Sequence, residues 1–446
     1  MFDRRHDFDL PSLRTLIVIS LFTSCSFWIG AYNTLSLVMA PVWHGIGIWR
    51  KFKGKEDPEY FLERFGLYTS QRTPGPLVWL HGASIGEACS VLGLVNPLRA
   101  SYEKIRILLT VQTRNALQAI RPRLPPGVDL HILPYDCPLY VKRFLHHWKP
   151  SVFCVVEAEC WPCLWSMVRK QSIPCFLFNF HMSQKSFYRW HYFRKLFSYL
   201  YAPFEWRSSG CSASCGYFSH LTALSIKLTP SLKYADPVLQ PHESKAHPLF
   251  SCGPRPFWLA SCIHEGEEDL MLQTHRKLCV RWPNLVLFYA PRHLERIAFV
   301  EKKAAAFSWI TQRHSASLPI DEKTSIYLIN TLGELGTFYS LCPFVVLGGS
   351  FCTVGGHNMI EPTALGCAVI TGPDASNALD VAKEFAHHKA ALQVTPESLA
   401  DTVSDLLENP QKAKRVAQQG QNLLVRKKRE LAQISEEFAR HLTSFL

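Results

Sequence analysis

Two neighbouring carboxylates, Glu157 and Glu159, follow the apolar run Val152–Val156. In an extended chain, period-two alternation puts both on one side. Carboxylates in an apolar setting are costly to bury without a partner. A ligand, a cation or a lysine is therefore implied, with a capping and salt-bridge role as the competing reading. A second constellation, His81-Gly82-Ala83-Ser84-Ile85-Gly86-Glu87, joins an apolar run to a helix-length segment. Small residues there let a ligand approach the backbone at the carboxyl end of a sheet. A helix dipole favours the ionised form of a carboxylate at such a start. Glu87 is then a competent base if it faces a cleft, and a helix-start residue if it does not.

The second half carries three ligand-like turns. Gly348-Gly349-Ser350 closes an apolar run, and Gly355-Gly356-His357-Asn358 leads into a helix beginning around Met359, Ile360, Glu361 and Pro362. Glycines before a helix N-terminus make an anion site, and Glu361 is placed to accept hydrogen bonds from ribose hydroxyls. Pro291-Arg292-His293 with Arg296 offers cations for phosphate. Leu332-Gly333-Glu334 ends a third strand-turn. All three are expected to converge on one crevice. The thiols of Cys160 and Cys163, with Cys211 and Cys215, read either as a dithiol or zinc site or as incidental thiols.

The elements that must position these residues are legible as alternating runs. Leu77–His81, Ile105–Thr110, Val128–Leu133, Val152–Val156 and Cys175–Asn179 read as buried strands, with helix-length segments such as Glu87–Ser101 between them. The pattern restarts at Phe257–Ser261, Leu285–Ala290, Ser325–Ile329, Phe344–Leu347 and Ala368–Thr371. Such alternation predicts βαβ units and parallel sheets. The proline-bearing stretch Pro237–Pro256 reads as a linker, and the charged tail from Pro396 as helix with a solvated face.

The chain has 446 residues, 47% apolar and 19% charged, with a net charge of +12. Its size suits two domains of about 150–200 residues with additions. The basic balance favours an anionic lipid surface or phosphorylated ligand over nucleic acid, because the charges are scattered. The 15 cysteines lie in apolar runs and read as buried thiols in a reducing compartment. No Lys, Arg, Asp or Glu occurs from Thr15 to Trp49, and Leu16–Ala31 is strongly apolar. A spanning helix, or a helix followed by an interfacial segment, is expected there. Trp28, Tyr32, Trp43 and Trp49 suit headgroup level. Arg50, Lys51, Lys53 and Lys55 follow, against Arg4, Arg5 and Arg14 before, which favours a cytoplasmic catalytic part. The expected domains are residues 1–55 as anchor and basic flank, 56–240, 255–425, and a helical tail at 426–446.

The chain resembles the 3-deoxy-D-manno-octulosonic acid (Kdo) transferase family. The motifs that carry the resemblance are HGASIGE at 81–87, LPYD at 133–136, EAECWP at 157–162, SLKYAD at 231–236, HEGEE at 264–268, PRHLER at 291–296, TLGEL at 331–335 and GGSFCTVGGHNMIEP at 348–362. The resemblance implies an α/β GT-B fold, two Rossmann-like domains facing across a cleft behind a membrane-anchor helix. It implies Kdo transfer from CMP-Kdo to lipid IV(A) in lipopolysaccharide core biosynthesis, without metal or cofactor. Glu87 would accept the acceptor hydroxyl's proton, and Glu157 and Lys233 would stabilise the transition state. Pro291, Arg292, Leu332, Gly333, Glu334, Asn358, Met359, Ile360 and Glu361 would surround the CMP. The implied setting is a bacterial inner membrane, or the membrane of an organelle of bacterial origin.

Several positions depart from the family pattern. His181 stands for Arg, Cys262-Ile263 for a Ser-Thr pair, Asn330 for Asp, Met359 for Pro and Cys163 for Asn. All three catalytic candidates are retained, so an active enzyme is expected, with altered donor contacts. Competing readings are another GT-B nucleotide-sugar enzyme, and a catalytically impaired membrane-bound homologue that binds nucleotide sugar.

Overall fold

The computed structural model describes residues 13–157, 159–235, 255–316 and 318–446, with side chains from Cys25 onward. The expected linker up to residue 254, and the leading Arg4 and Arg5, lie outside the described residues. The chain divides into two compact units, Met1–Pro237 with Glu430–Leu446, and Val238–Arg429.

The first unit is built on a parallel sheet of seven strands: β1 Leu77–His81, β2 Arg106–Val111, β3 Val128–Ile132, β4 Val152–Val156, β5 Cys175–Phe178, β6 Phe204–Ser209 and β7 Lys227–Leu228. Their order is β3-β2-β1-β4-β5-β6-β7. Strands β1, β4 and β5 are buried along their whole length, which is why they read as unbroken apolar runs. Trp79, Phe144 and Phe153 stack at the centre of this core.

The second unit repeats the plan with β8 Phe257–Ile263, β9 Val286–Pro291, β10 Ile310–Arg313, β11 Thr324–Leu328, β12 Phe344–Leu347, β13 Ala368–Thr371 and β14 Ala391–Gln393. Their order is β10-β11-β9-β8-β12-β13-β14, again all parallel. The long helix Pro410–Thr443 ends the chain. Its last turns are not wholly solvated: Phe438 is buried against Phe176 and Phe178 of β5.

In both sheets the chain winds outward from a central strand, returns, and winds outward the other way. The return falls between β1 and β4 in the first sheet and between β8 and β12 in the second. Open α/β sheets bind ligands at the carboxyl edge of such a switch point.

The charge-free N-terminal stretch forms two helices, Leu13–Val38 and Ala40–Phe52. Among the described residues no helix is long and apolar enough to cross a membrane, so the expected spanning helix is not found there. Part of the apolar stretch has a packing role instead. Cys25 and Ile29 are buried, Tyr32 donates to Asp136 Oδ2 at 2.9 Å, and Ser36 donates to the Asp136 carbonyl at 2.7 Å. His44 stacks on Phe65 with centroids 4.1 Å apart. The other face is open, with Phe27, Trp28, Leu35, Val38, Trp49 and Phe52 exposed.

Asp136, of the LPYD motif, is the pivot of this docking. Its carboxylate also accepts from the Cys163 and Leu164 amides at 3.1 and 2.8 Å, capping the helix Pro162–Lys170. A buried carboxylate serving two orphan amides and a tyrosine hydroxyl carries several charge-assisted bonds. Asp136→Ala is expected to cost about 2–3 kcal/mol of stability. Thermal unfolding of the two proteins measures it, and a loss within error would remove Asp136 as the tether.

Candidate functional site

The first site forms where β1 and β4 end. Ser84 caps the helix Ile85–Ser101, its hydroxyl accepting from the Glu87 amide at 3.2 Å. Glu87 folds back: Oε1 accepts from Ser84 Oγ at 2.8 Å and Oε2 from the Ala83 amide at 2.9 Å. This reciprocal pairing is a capping box. The helix start was expected to hold Glu87 ionised. Burial outweighs these bonds, however, and with the nearby Glu157 charge it raises the Glu87 carboxyl above its usual range. A carboxylate so placed is a stronger base than an exposed one.

Glu157 does not continue the strand. β4 ends at Val156, and Glu157 adopts φ 65°. The period-two argument that put Glu157 and Glu159 on one side therefore fails, because it holds only in extended chain. The left-handed turn nevertheless keeps the two carboxylates near each other and near Glu87. Burial, then Glu87, then Glu157 push Glu159 up to about 7, against a hydrogen bond from Trp161 Nε1 at 3.2 Å. A non-glycine residue in this region is strained by about 1 kcal/mol, a feature that clusters at functional sites.

The implied lysine is present. Lys233 Nζ lies 3.9 Å from Glu157 Oε1 and is the one charge that lowers the Glu157 carboxyl, which burial raises. Lys233 sits in the short helical turn Leu232–Ala235, fixed by Asn179 Oδ1 accepting from the Leu232 amide at 3.3 Å. Asn179 itself has φ 51° and is buried. Its positioning role had no local signal in the sequence beyond a polar residue ending an apolar run.

The second site forms where β8, β9 and β12 end. Glu267, of HEGEE, is 1% exposed and binds three backbone amides: His264 at 2.9 Å, Gly349 at 2.7 Å and Phe351 at 2.9 Å. This one carboxylate joins the turn after β8 to the turn after β12. The joined backbones leave no room for side chains. A Cβ on Gly348 would lie 2.4 Å from the Cys262 carbonyl, and one on Gly349 (φ +72°) would lie 3.0 Å from the His357 ring. His357 and His264 face each other with Nε2 atoms 2.7 Å apart.

The nine donor candidates fare differently. Arg292 is exposed, is held through its amide to the Ile263 carbonyl at 2.9 Å, and makes no ion pair among the described residues. It follows Pro291, the last residue of β9. Arg296, read with it as a phosphate cation, is already engaged by Glu268 at 2.8 Å and Glu265 at 3.2 Å. The helix after Asn358 spans only Ile360–Ala364. Five residues build little dipole, and Asn358 Oδ1 already takes the Ile360 amide at 2.9 Å, so a helix-start anion site is not formed. The Met359 and Ile360 side chains are buried, while Glu361 is partly exposed. Leu332 is 80% exposed and Gly333 has open space around it. The Glu334 carboxylate turns inward to His314 Nε2 at 2.9 Å, and Asn330 bonds Ser315. The turn after β11 therefore does not aim its polar side chains at the glycine turns.

Departures from the family pattern read quietly. Cys262 (φ 56°) is raised by burial to about 11 and is a neutral thiol. His181 is exposed. Cys160 is pushed up by burial to about 12, Cys163 is fully buried, and among the described residues no three His, Cys, Asp or Glu side chains are grouped to hold a metal.

Two seven-stranded parallel sheets, each with polar turns at its switch point, define a GT-B-like protein. The UDP-GlcNAc 2-epimerase of Neisseria meningitidis bound to UDP-GlcNAc has a similar fold (TM-score 0.53 at 14% identity, covering 79% of this chain and 99% of that one), a likeness of fold alone. Residues 59–236 match the family described as 3-Deoxy-D-manno-octulosonic-acid transferase (kdotransferase). The chain is 32% identical over 395 residues to the Arabidopsis thaliana protein named "Probable 3-deoxy-D-manno-octulosonic acid transferase, mitochondrial", covering 85% of this chain and 88% of that one. It is 28% identical over 412 residues to the 3-deoxy-D-manno-octulosonic acid transferase of Haemophilus influenzae, covering 89% and 95%. The chain belongs to the 3-deoxy-D-manno-octulosonic acid transferase family of glycosyltransferases.

Because burial raises Glu159 to about 7, the folded chain holds this proton more tightly than the unfolded chain. That contribution is complete below the unfolded value of about 4.3 and is lost as pH rises through about 7. Glu159→Gln is expected to raise Tm by about 2 °C near pH 8 and to leave it unchanged near pH 4. Equal Tm at both pH values would show that the carboxyl is not strained by burial.

Proposed function

We propose that this chain transfers Kdo from CMP-Kdo to lipid IV(A), the acceptor step of lipopolysaccharide core assembly. Membership of the family supports the reaction class. The observation that carries the mechanism is Glu87, a half-buried carboxylate held by two hydrogen bonds at the first sheet's switch point and raised by burial and by Glu157. In this reading Glu87 removes the proton of the attacking acceptor hydroxyl as the bond to the anomeric carbon forms. The bond from that carbon to the CMP phosphate breaks through an oxocarbenium-like transition state. Glu157 and Lys233 act together: the carboxylate faces developing positive charge on the sugar, and the ammonium balances the carboxylates around it.

The second unit holds the donor. Arg292 is the cation for its phosphate, with the backbone of Pro291, Leu332, Gly333 and Glu334 along the nucleotide. Asn358, Met359 and Ile360 contribute main chain, and Glu361 accepts from ribose hydroxyls. Buried Met359 and Ile360 and the inward Glu334 carboxylate restrict these residues to backbone contacts. No step requires a cofactor.

The membrane is the second partner. The exposed face with Phe27, Trp28, Leu35, Val38, Trp49 and Phe52 is followed by Arg50, Lys51, Lys53 and Lys55. Apolar residues beside a basic cluster suit a helix pair lying in an anionic lipid surface, which is where a phosphorylated lipid acceptor is found. The setting we infer is the cytoplasmic side of a bacterial inner membrane, or the membrane of an organelle of bacterial origin.

Two experiments test these readings. Mass spectrometry of lipid IV(A) after incubation with CMP-Kdo is expected to show added Kdo with the wild type, and at least about a hundredfold less with Glu87→Ala, while CMP binding is retained. Full transfer by Glu87→Ala would end its assignment as base. In flotation with phosphatidylglycerol-rich vesicles, the double variant Trp28→Asp, Phe52→Asp is expected to bind about tenfold more weakly than wild type. Unchanged flotation would remove this face as the lipid contact.

A further inference from the structure

His264 lies in the turn that follows β8, and His357 in the glycine-bearing loop that runs on from β12, the two strands flanking the second switch point. Their Nε2 atoms are 2.7 Å apart and their rings lie nearly parallel, 12° from coplanar orientation. A contact this short between two imidazoles holds one proton. One ring donates through Nε2–H. The other accepts, so its own proton is on Nδ1. Neither Nδ1 has a hydrogen-bond partner among the described residues.

Burial, more than the surrounding charges, keeps the pair neutral. Burial lowers both rings, His357 to about 4 with help from His264 and Arg292, and His264 with help from His293 and Arg292. His293 lies beside His264. The anions facing His264 are Glu267 and Glu268. Both are spent elsewhere, Glu267 on three backbone amides, and Glu268 on Arg296 and the Gly266 amide. Neither bonds an imidazole. This part of the second site thus offers a guanidinium with no ion pair among the described residues, beside two neutral rings.

We propose that His264 and His357 form a proton-accepting clamp, in which one solvent proton joins the pair when the donor's phosphate binds beside Arg292 and leaves when that phosphate leaves. The step moves a proton from water to an imidazole lone pair and alters no other bond. The donor's phosphodiester brings one negative charge, and the CMP monoester left after transfer up to two, and this charge offsets the burial and the nearby Arg292 that had kept the rings neutral. The resulting imidazolium presents an N–H to the phosphate and adds positive charge where the leaving group gathers negative charge. Holding the pair neutral until then avoids crowding uncompensated cations around Arg292. The inference rests on the proposed CMP-bearing donor and extends it to proton uptake.

A purely structural pair would hold the two turns together without exchanging protons, and calorimetry separates the two roles. The full chain is titrated with CMP near pH 7.5 in two buffers of different ionisation heat, with cytidine as the control lacking phosphate. The clamp predicts uptake of about half to one proton per CMP and none with cytidine. His357→Gln, which keeps a hydrogen-bonding amide, is expected to abolish that uptake and weaken CMP about tenfold. His264→Gln should do the same, with thermal unfolding confirming that both variants are folded. CMP binding to wild type without proton uptake, or uptake that persists in both folded variants, would overturn the clamp. Wild type that binds no CMP would overturn the donor reading, and the clamp with it.

Discussion

A parallel sheet wound outward in both directions from one strand leaves a gap at its carboxyl edge that no crossover covers. This constraint operates twice here, between β1 and β4 and between β8 and β12. Each gap must be closed by turn backbone whose amides and carbonyls need partners. The chain closes them differently. In the first unit, capping by Ser84 and Glu87 satisfies one side, and the left-handed Glu157 re-aims the other. In the second, Glu267 binds amides from both sides at once. The polar chemistry of the protein therefore gathers where the fold is weakest in backbone pairing.

The two sites also differ in charge. The first collects three carboxylates, Glu87, Glu157 and Glu159, around the single ammonium of Lys233. In half-buried surroundings that imbalance pushes protons onto the cluster, which suits proton removal from a hydroxyl. The second keeps one guanidinium open and silences its neighbours: Arg296 is bound by two carboxylates, and the histidines are held neutral. That arrangement suits an anion. The division of labour follows from burial acting on opposite signs of charge, since desolvation raises carboxyls and lowers imidazoles.

How much of this was legible in the chain depended on which signals were local. The strands β1, β4, β12 and β13 were readable to the residue because both faces are buried and the run is uniformly apolar. The short outer strands β6, β7, β10 and β14 were not, because Phe204–Ser209 and Ile310–Arg313 mix polar and exposed positions. Glu87, Glu157 and Arg292 stood out by type and by place after an apolar run. Asp136, Asn179 and Glu267 did not, because all but one of the amides they bind, the His264 amide, lie 27 to 84 residues away. Nothing near them in sequence announces that partner. The reading of Arg296 as a phosphate cation failed for the same reason, since Glu265 and Glu268 lie some 30 residues earlier.

The same long-range logic bears on the substitutions that set this chain apart from its family pattern. Cys262 replaces a hydroxyl-bearing residue, yet its main chain, at φ 56°, is what Gly348 packs against. Its side chain is a partly buried thiol that stays neutral. The turns after β8 and β12 are therefore shaped by the backbone of this position and by Glu267, and neither of these contacts uses the residue's side chain. Met359 enters the core at 2% exposure, just ahead of the short helix Ile360–Ala364. The carboxylates that bind backbone amides, and not the side chains at these positions, thus tie the turns at both gaps together.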